Sequence, residues 1–139
     1  MLVVRCLSVV IIMLKKKRIV IDTNVFMAIS ELGLDLFAAI PMACSFPYEV
    51  FVLSGTISEL EKIRDTQRGA FRNGARLALQ ILAKLDVEVL DSKEDDVDSE
   101  LVLLSQQGDL ILTQDRILKK RLVKPYLTIR QRKMISIVD

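Results

Sequence analysis

The 139-residue chain predicts an α/β fold, a three-layer α/β/α sandwich around a central parallel sheet. Short β-branched apolar runs recur along it, each leading into a polar turn, as strands buried on both faces of a parallel sheet do. Between them lie longer segments whose apolar residues return every three or four positions, the helical period. Strands alternating with helices imply right-handed crossovers and helices on both faces of the sheet. The length fits one domain, because domains cluster at roughly 100 to 150 residues and one of this size buries about two-thirds of its unfolded surface. A composition 51% hydrophobic and 27% charged supplies a core and excludes a disordered tail protein.

Residues 1–15 read as an N-terminal extension and residues 16–139 as the domain. The segment 1–14 is apolar but broken by Arg5, and it runs into Lys15-Lys16-Lys17-Arg18. A signal peptide has its charge first and a small-residue cleavage site after, and a membrane span needs about 20 apolar residues. The expectation is therefore a cytoplasmic chain without a membrane partner, with Met13 as its biological start.

Arg18-Ile19-Val20-Ile21 reads as a buried strand that delivers Asp22-Thr23-Asn24 at its carboxyl end, the edge at which open α/β sheets gather ligands. Val25–Ser30 and Asp35–Ile40 follow as helices, and Pro41 and Pro47 punctuate the connection after them. Glu49–Leu53 is a second strand; Ser54-Gly55 turns the chain, and Thr56 or Ser58 caps a helix with Glu59 in its first turn. Gly69–Leu85 is a long amphipathic helix with a basic outer face, and Val87–Leu90 a short strand. The acidic stretch Asp91–Asp98 leads into a helix over Ser99–Gln107, which Gly108 ends. Asp109–Thr113 is a strand ending in Gln114-Asp115, Arg116–Val123 a cationic helix, and Pro125–Ile129 the last strand. The whole is a Rossmann-like sandwich. No glycine-rich phosphate loop follows the first strand, so nucleotide-cofactor functions lose their main support.

The chain has no histidine. That removes imidazole acid–base chemistry, imidazole-activated nucleophiles and histidine-ligated zinc. The two cysteines, Cys6 and Cys44, lie far apart without a Cys-x-x-Cys pair, so a four-cysteine zinc or a disulfide framework is excluded and two reduced thiols are expected. A formal charge of +2 forces no nucleic-acid partner; the distribution of charge has to decide.

What remains for a hydrolase is carboxylates and a hard metal. Asp22, Glu59, Asp98 and Asp115 occupy corresponding places, just past a strand or at a helix start, and should project toward one sheet edge. Carboxylates crowded together repel one another, and a divalent cation turns that repulsion into coordination. Mg²⁺ or Mn²⁺ favours oxygen ligands, keeps waters and can bridge a phosphodiester. Each acid taken singly is also explained as a helix cap or as complementing a helix dipole, worth about 0.3 to 1 kcal/mol; the joint placement raises the metal-site explanation above these.

The sequence here resembles the PIN-domain family. Ile19-Val20-Ile21-Asp22-Thr23-Asn24-Val25-Phe26 is similar to its first motif, Ser58-Glu59-Leu60 to its second, Val97-Asp98-Ser99-Glu100-Leu101 to its third and Leu112-Thr113-Gln114-Asp115-Arg116 to the Thr-x-Asp motif of its fourth. The resemblance runs from Lys16 to about Val138, including the closing Tyr126–Lys133, and is nearest in character to VapC-like toxin ribonucleases and ribosomal-RNA-processing PIN nucleases. It implies a PIN-like fold and an endoribonuclease dependent on Mg²⁺ or Mn²⁺, usually dimeric, with Asp22, Glu59, Asp98 and Asp115 as metal ligands. Asn24 and Thr113 match positions that orient such carboxylates by hydrogen bonds. Many relatives carry paired aspartates in the third motif where this chain has Asp98-Ser99, which leaves Asp95 or Asp96 as alternatives for the third ligand.

Arg68, Arg72 and Arg76 share a helix face, and Arg116, Lys119, Lys120, Arg121 and Lys124 crowd the helix after Asp115. Flanking the acidic edge, they could hold an RNA backbone; ordinary solvated helix faces explain them about as well. Aromatics are scarce, so base-specific recognition is not readable. Two other classes stay open. One is a non-catalytic PIN-fold module that binds RNA or serves in assembly. The other is a phosphatase of the haloacid-dehalogenase kind, which would need Asp-x-Asp where Asp22-Thr23-Asn24 stands. An antitoxin protein is an expected partner only if the nuclease is a toxin, and a neighbouring gene would have to show it.

Overall fold

The structure is a computed structural model describing residues 15–139; the expectations for the extension and for Cys6 fall outside the described residues. Among the described residues there are twelve elements, the eleven foreseen and a further strand after them. Strand β1 (Lys17–Ile21) is followed by helices α1 (Thr23–Leu32) and α2 (Leu36–Ala43), and β2 (Tyr48–Leu53) by α3 (Ser54–Thr66) and α4 (Gly69–Lys84). Then come β3 (Glu88–Leu90), α5 (Val97–Gln106), β4 (Leu110–Leu112), α6 (Arg116–Arg121), β5 (Tyr126–Arg130) and β6 (Met134–Val138). Among the described residues no single helix is long and apolar enough to cross a membrane.

The six strands form one sheet in the order β3-β2-β1-β4-β5-β6. Strands β1 to β5 are parallel, and β6 runs antiparallel to β5. The chain builds outward from β1 through β2 and β3, then crosses back to lay β4 on the other side of β1. The order therefore reverses between β1 and β4, the place where the carboxyl ends of neighbouring strands open a crevice. Alternation along β1 assigns the two layers: Ile19 and Ile21 pack with Phe26, Leu36, Leu60 and Ala75, drawing α1 to α4 onto one face. Val20 packs with Leu53, Leu101, Ile111 and Leu118, drawing α5 and α6 onto the other.

Four details depart from the sequence-based expectation. The sheet is not wholly parallel, because β6 adds an antiparallel edge. The β5–β6 turn contains Gln131 and Arg132, both at positive φ (54° and 64°), where hairpins usually place Asn or Gly; the turn signal was absent. Pro41 lies inside α2 rather than after it; the helix tolerates it near its end, where only one internal donor is forfeited. Helix α3 starts at Ser54, so Glu59 falls in its second turn, and neither Thr56 nor Ser58 is its cap. Finally, three large apolar side chains of the amphipathic α4 stay open to solvent, Phe71, Leu77 and Leu85 at 65%, 38% and 49% exposed, and the buried residues of the helix are Gly74, Ala75, Ala78 and Leu82. Small residues there let α4 approach α1 closely.

Phe26 is fully buried where α1 meets the sheet. Phe26→Ala should cost about 3–5 kcal/mol, read as a lower urea midpoint in a single transition. A loss under about 1 kcal/mol would show that this face is not the organising core.

Candidate functional site

The crevice between β1 and β4 is built around Asp22, which ends β1 and caps α1. Its backbone N–H donates to the Leu112 carbonyl of β4 (2.9 Å). Its Oδ1 accepts from the Thr23 N–H (2.8 Å), and its Oδ2 from the Thr113 hydroxyl (2.7 Å). Only 5% of the residue is exposed. Its pKa is pushed up to about 6: burial raises it most, the two hydrogen bonds pull it down, and the Asp98 and Glu59 carboxylates add to the rise. A buried acid among like charges is a typical feature of functional sites, though ionic structural networks show it too.

Three further acids reach this edge from separate elements. Glu59 of α3 accepts the Thr23 hydroxyl on Oε2 at 2.6 Å. Asp115 caps α6 through Oδ1, which accepts from the N–H groups of Ile117 (2.8 Å) and Leu118 (3.2 Å). Asp98 stands in the first turn of α5, but the cap of that helix is Asp96, whose Oδ2 accepts from the Ser99 N–H (3.2 Å) and hydroxyl (2.8 Å). The carboxyl of Asp98 is therefore not occupied by capping. Its pKa is raised by partial burial first and then by Asp96 and Asp115, with Arg121 opposing. The Ser99 hydroxyl, by contrast, pulls the Asp96 carboxyl below its ordinary range. Asp95 is exposed in the segment before the helix.

Thr113, fully buried, binds the two central acids together: its hydroxyl donates to Asp22 and accepts the Asp115 N–H (3.0 Å). Asn24 does not touch a carboxylate as expected; its Oδ1 accepts the Gln114 N–H at 3.4 Å, pinning α1 to the turn after β4. The orienting residue that the sequence did not single out is Thr23. A hydroxyl one residue beyond Asp22 was visible, but its partner lies 36 positions away.

A second set of bonds holds α3 and α5 in register. Gly55 N–H donates to Ser92 Oγ (2.9 Å), and Ser92 N–H donates to Ser54 Oγ (2.9 Å). Buried Glu100 accepts the N–H groups of Lys93 and Glu94, both at 3.2 Å. The start of α3 is thus capped by a serine 37 residues away, which explains why no local cap was needed. Gly55 is a contact requirement: a Cβ there would lie 2.9 Å from both Ser92 Oγ and Val97 Cγ2, so the helix starts that carry Glu59 and Asp98 meet across a missing side chain.

Among the described residues no three Asp, Glu or Cys side chains are drawn tightly enough together to hold a cation in this arrangement. The acids are near enough to act on one another as like charges, Asp98 and Glu59 on Asp22 and Asp96 and Asp115 on Asp98. A cleft of about 570 Å³ is lined by Lys93, Glu94, Arg18, Glu100 and Gln107, and not by Asp22, Glu59 or Asp115. A polymer phosphodiester needs an open edge, not that cleft. Of the basic residues, Arg68, Arg72 and Arg76 are exposed along α4, and Arg116 and Lys120 are exposed on α6. Lys119 is half-buried, its ammonium pKa lowered by burial and then by Arg116 and Arg130, with Asp115 opposing. Arg130 thereby joins the cationic group beside Asp115.

Two outcomes follow for the metal-free protein. Because the folded pKa of Asp22 exceeds the ordinary 3.8, its ionisation weakens the fold as pH rises from about 4 through 6. Asp22→Asn should therefore be more stable than the parent at pH 8, by up to about 3 kcal/mol, and lose that advantage below pH 4; a constant difference in denaturation midpoint across this range would refute the assignment. Gly55→Ala sets two effects against each other, since alanine favours a helix by about 1 kcal/mol but overpacking costs about 1–3 kcal/mol. The contacts at 2.9 Å decide for net destabilisation, visible as a lower Tm.

A family model described as "PIN like domain" matches residues 19–132. No curated protein matches the chain. Among solved structures, the chain is similar to one titled "Structure of the PIN domain endonuclease Utp24", with a TM-score of 0.70 at 22% identity over 86% of this chain and 90% of that one. It also aligns with a domain of a functionally unknown protein from Methanocaldococcus jannaschii DSM 2661, with a TM-score of 0.49 at 15% identity over 75% of this chain and 82% of that one. Because that family model matches most of its length, the chain belongs to the PIN-like domain family.

Proposed function

We propose that this protein is an endoribonuclease that hydrolyses RNA phosphodiester bonds at the carboxyl edge of its sheet, with Asp22, Glu59, Asp98 and Asp115 holding Mg²⁺ or Mn²⁺. The observation that carries this is Asp22, a carboxylate at the strand-order reversal that is pushed toward protonation by its burial first and then by Asp98 and Glu59. Such a group weakens a fold unless a cation completes it. The donor set fits a hard cation, since all four groups are carboxylates and the chain has no histidine. Mg²⁺ or Mn²⁺ bound there supplies an activated water and neutralises charge on the phosphate.

The residues of the chain do the positioning. Thr113 and Thr23 fix Asp22 and Glu59, while Asp96 takes over the cap of α5 so that Asp98, rather than Asp95 or Asp96, serves as the third ligand. Arg116, Lys119 and Lys120 on one side and Arg68, Arg72 and Arg76 on the other hold the RNA backbone by charge. The similar structure's title names an endonuclease, and the same class of activity is proposed here. The protein is proposed to act as a cytoplasmic homodimer. As a toxin it would bind an antitoxin; as an RNA-processing enzyme it would not.

The spacing of the acids favours one other function: because no three of them are yet drawn together, a non-catalytic PIN-fold subunit that binds RNA is the competing proposal. Labelled single-stranded RNA incubated with Mn²⁺, Mg²⁺ or EDTA separates the two. The expected result is metal-dependent cutting that falls roughly 100-fold or more in Asp22→Asn, since a bound metal contributes several kcal/mol of charge stabilisation. RNA binding without cutting in any metal would establish the subunit instead.

A further inference from the structure

Phe71 is the only exposed aromatic side chain among the described residues, 65% open to solvent. It stands three and four residues before Gly74 and Ala75, so it lies on the stripe of α4 that faces the core, not on the outer face. One turn further along, that stripe is fully packed. Phe71 is exposed because the helix projects past the body at this end.

Its position relative to the acids follows from helix register. The α-carbon of Gly74 faces Met27 and Ser30 of α1, with Met27 Cε 3.2 Å and Ser30 Cβ 3.6 Å from the place its Cβ would take. Further on, Ile81 and Leu85 share a groove with Ile29, Gly33 and Leu34. The two helices therefore run side by side in the same direction, at the same rise of about 1.5 Å per residue. Three residues before Gly74, Phe71 is level with Asn24 to Met27, the first turn after Asp22. That register sets Phe71 near the start of α1, the helix that Asp22 caps. Arg68 and Arg72, one turn before it and one residue after, are both exposed. Asp65 partly offsets Arg72, and its own close partner is Arg64 at 2.9 Å.

We propose that Phe71 is a nucleobase platform, on which a base next to the cleaved phosphodiester stacks while Arg68 and Arg72 take the flanking phosphates. This rests on the endoribonuclease function proposed above and adds to it how the substrate is seated. An open ring between two guanidinium groups offers a single-stranded nucleic acid both of its features, an apolar base face and a regularly spaced anion. Every base has such a face, so the platform selects for unpaired strands rather than for sequence.

The chain contains no tryptophan, so Phe71→Trp places a single fluorescent indole at the site. In the Asp22→Asn background with EDTA, titration with a single-stranded oligoribonucleotide should quench that indole, with the midpoint given by anisotropy of the labelled RNA. An abasic oligomer of equal length should bind more weakly and leave the indole unquenched. Phe71→Ala should weaken RNA binding about tenfold, the size of one stacked base, without lowering Tm. RNA binding with no quench, or binding unchanged in Phe71→Ala, overturns the platform. So does an indole signal that follows protein concentration without RNA, which would mark a contact between two copies. The parent protein's metal-dependent cutting is read separately, so the platform can fail while the nuclease function stands.

Discussion

The arrangement depends on one carboxylate taken out of water. Asp22 sits where the strand order reverses, between the ends of β1 and β4, and both its oxygens are engaged by groups from different parts of the chain. Thr113 comes from β4's end and Thr23 from the start of α1, so the acid joins strand, crossing strand and helix at one point. Burying an ionised group is costly unless partners compensate. The two hydrogen bonds recover part of that cost, and the neighbouring acids add to it. Such an assembly works against the stability of the isolated protein, which agrees with the cation site proposed for it.

The helix starts organise the rest. Helices α1, α5 and α6 begin at Asp22, Asp96 and Asp115, each accepting its own helix's N–H groups. Capping and the proposed ligand role are compatible at Asp22 and Asp115, because each caps through Oδ1 alone. They separate in the third motif, where Asp96 and Ser99 form the cap and leave Asp98 turned to its acidic neighbours. The positive ends of the helix dipoles point at the same edge and temper the repulsion there. This explains how acids from separate elements can approach one another at that edge.

Helices α3 and α5 belong to opposite faces of the sheet, yet each must deliver an acid to that edge. The exchange between Ser54, Gly55 and Ser92, with Val97 seated over the glycine, couples them. Glu100 then holds the backbone of Lys93 and Glu94 against the side of α5. The acidic segment that looks like a solvated linker in the sequence is thus tied at both ends.

Much of this was legible from local chemistry. Period and β-branching marked five strands and the helices between them, because burial on two faces or one stripe leaves a direct imprint on residue order. The absence of histidine and the placement of Asp22, Glu59, Asp98 and Asp115 likewise singled out the acidic edge. What only the tertiary structure decided rests on contacts between residues far apart in the chain. The cap of α3 comes from Ser92, the anchor of Glu59 from Thr23, and the exposure of Phe71 from where α4 begins relative to α1. The β6 hairpin turns through Gln131 and Arg132, residues without the usual turn signal, because packing of Ile135 and strand pairing with β5 outweigh local backbone preference. Periodicity records which face of an element is buried, but it holds no record of which distant residue supplies the partner, and that partner is what positions each acid.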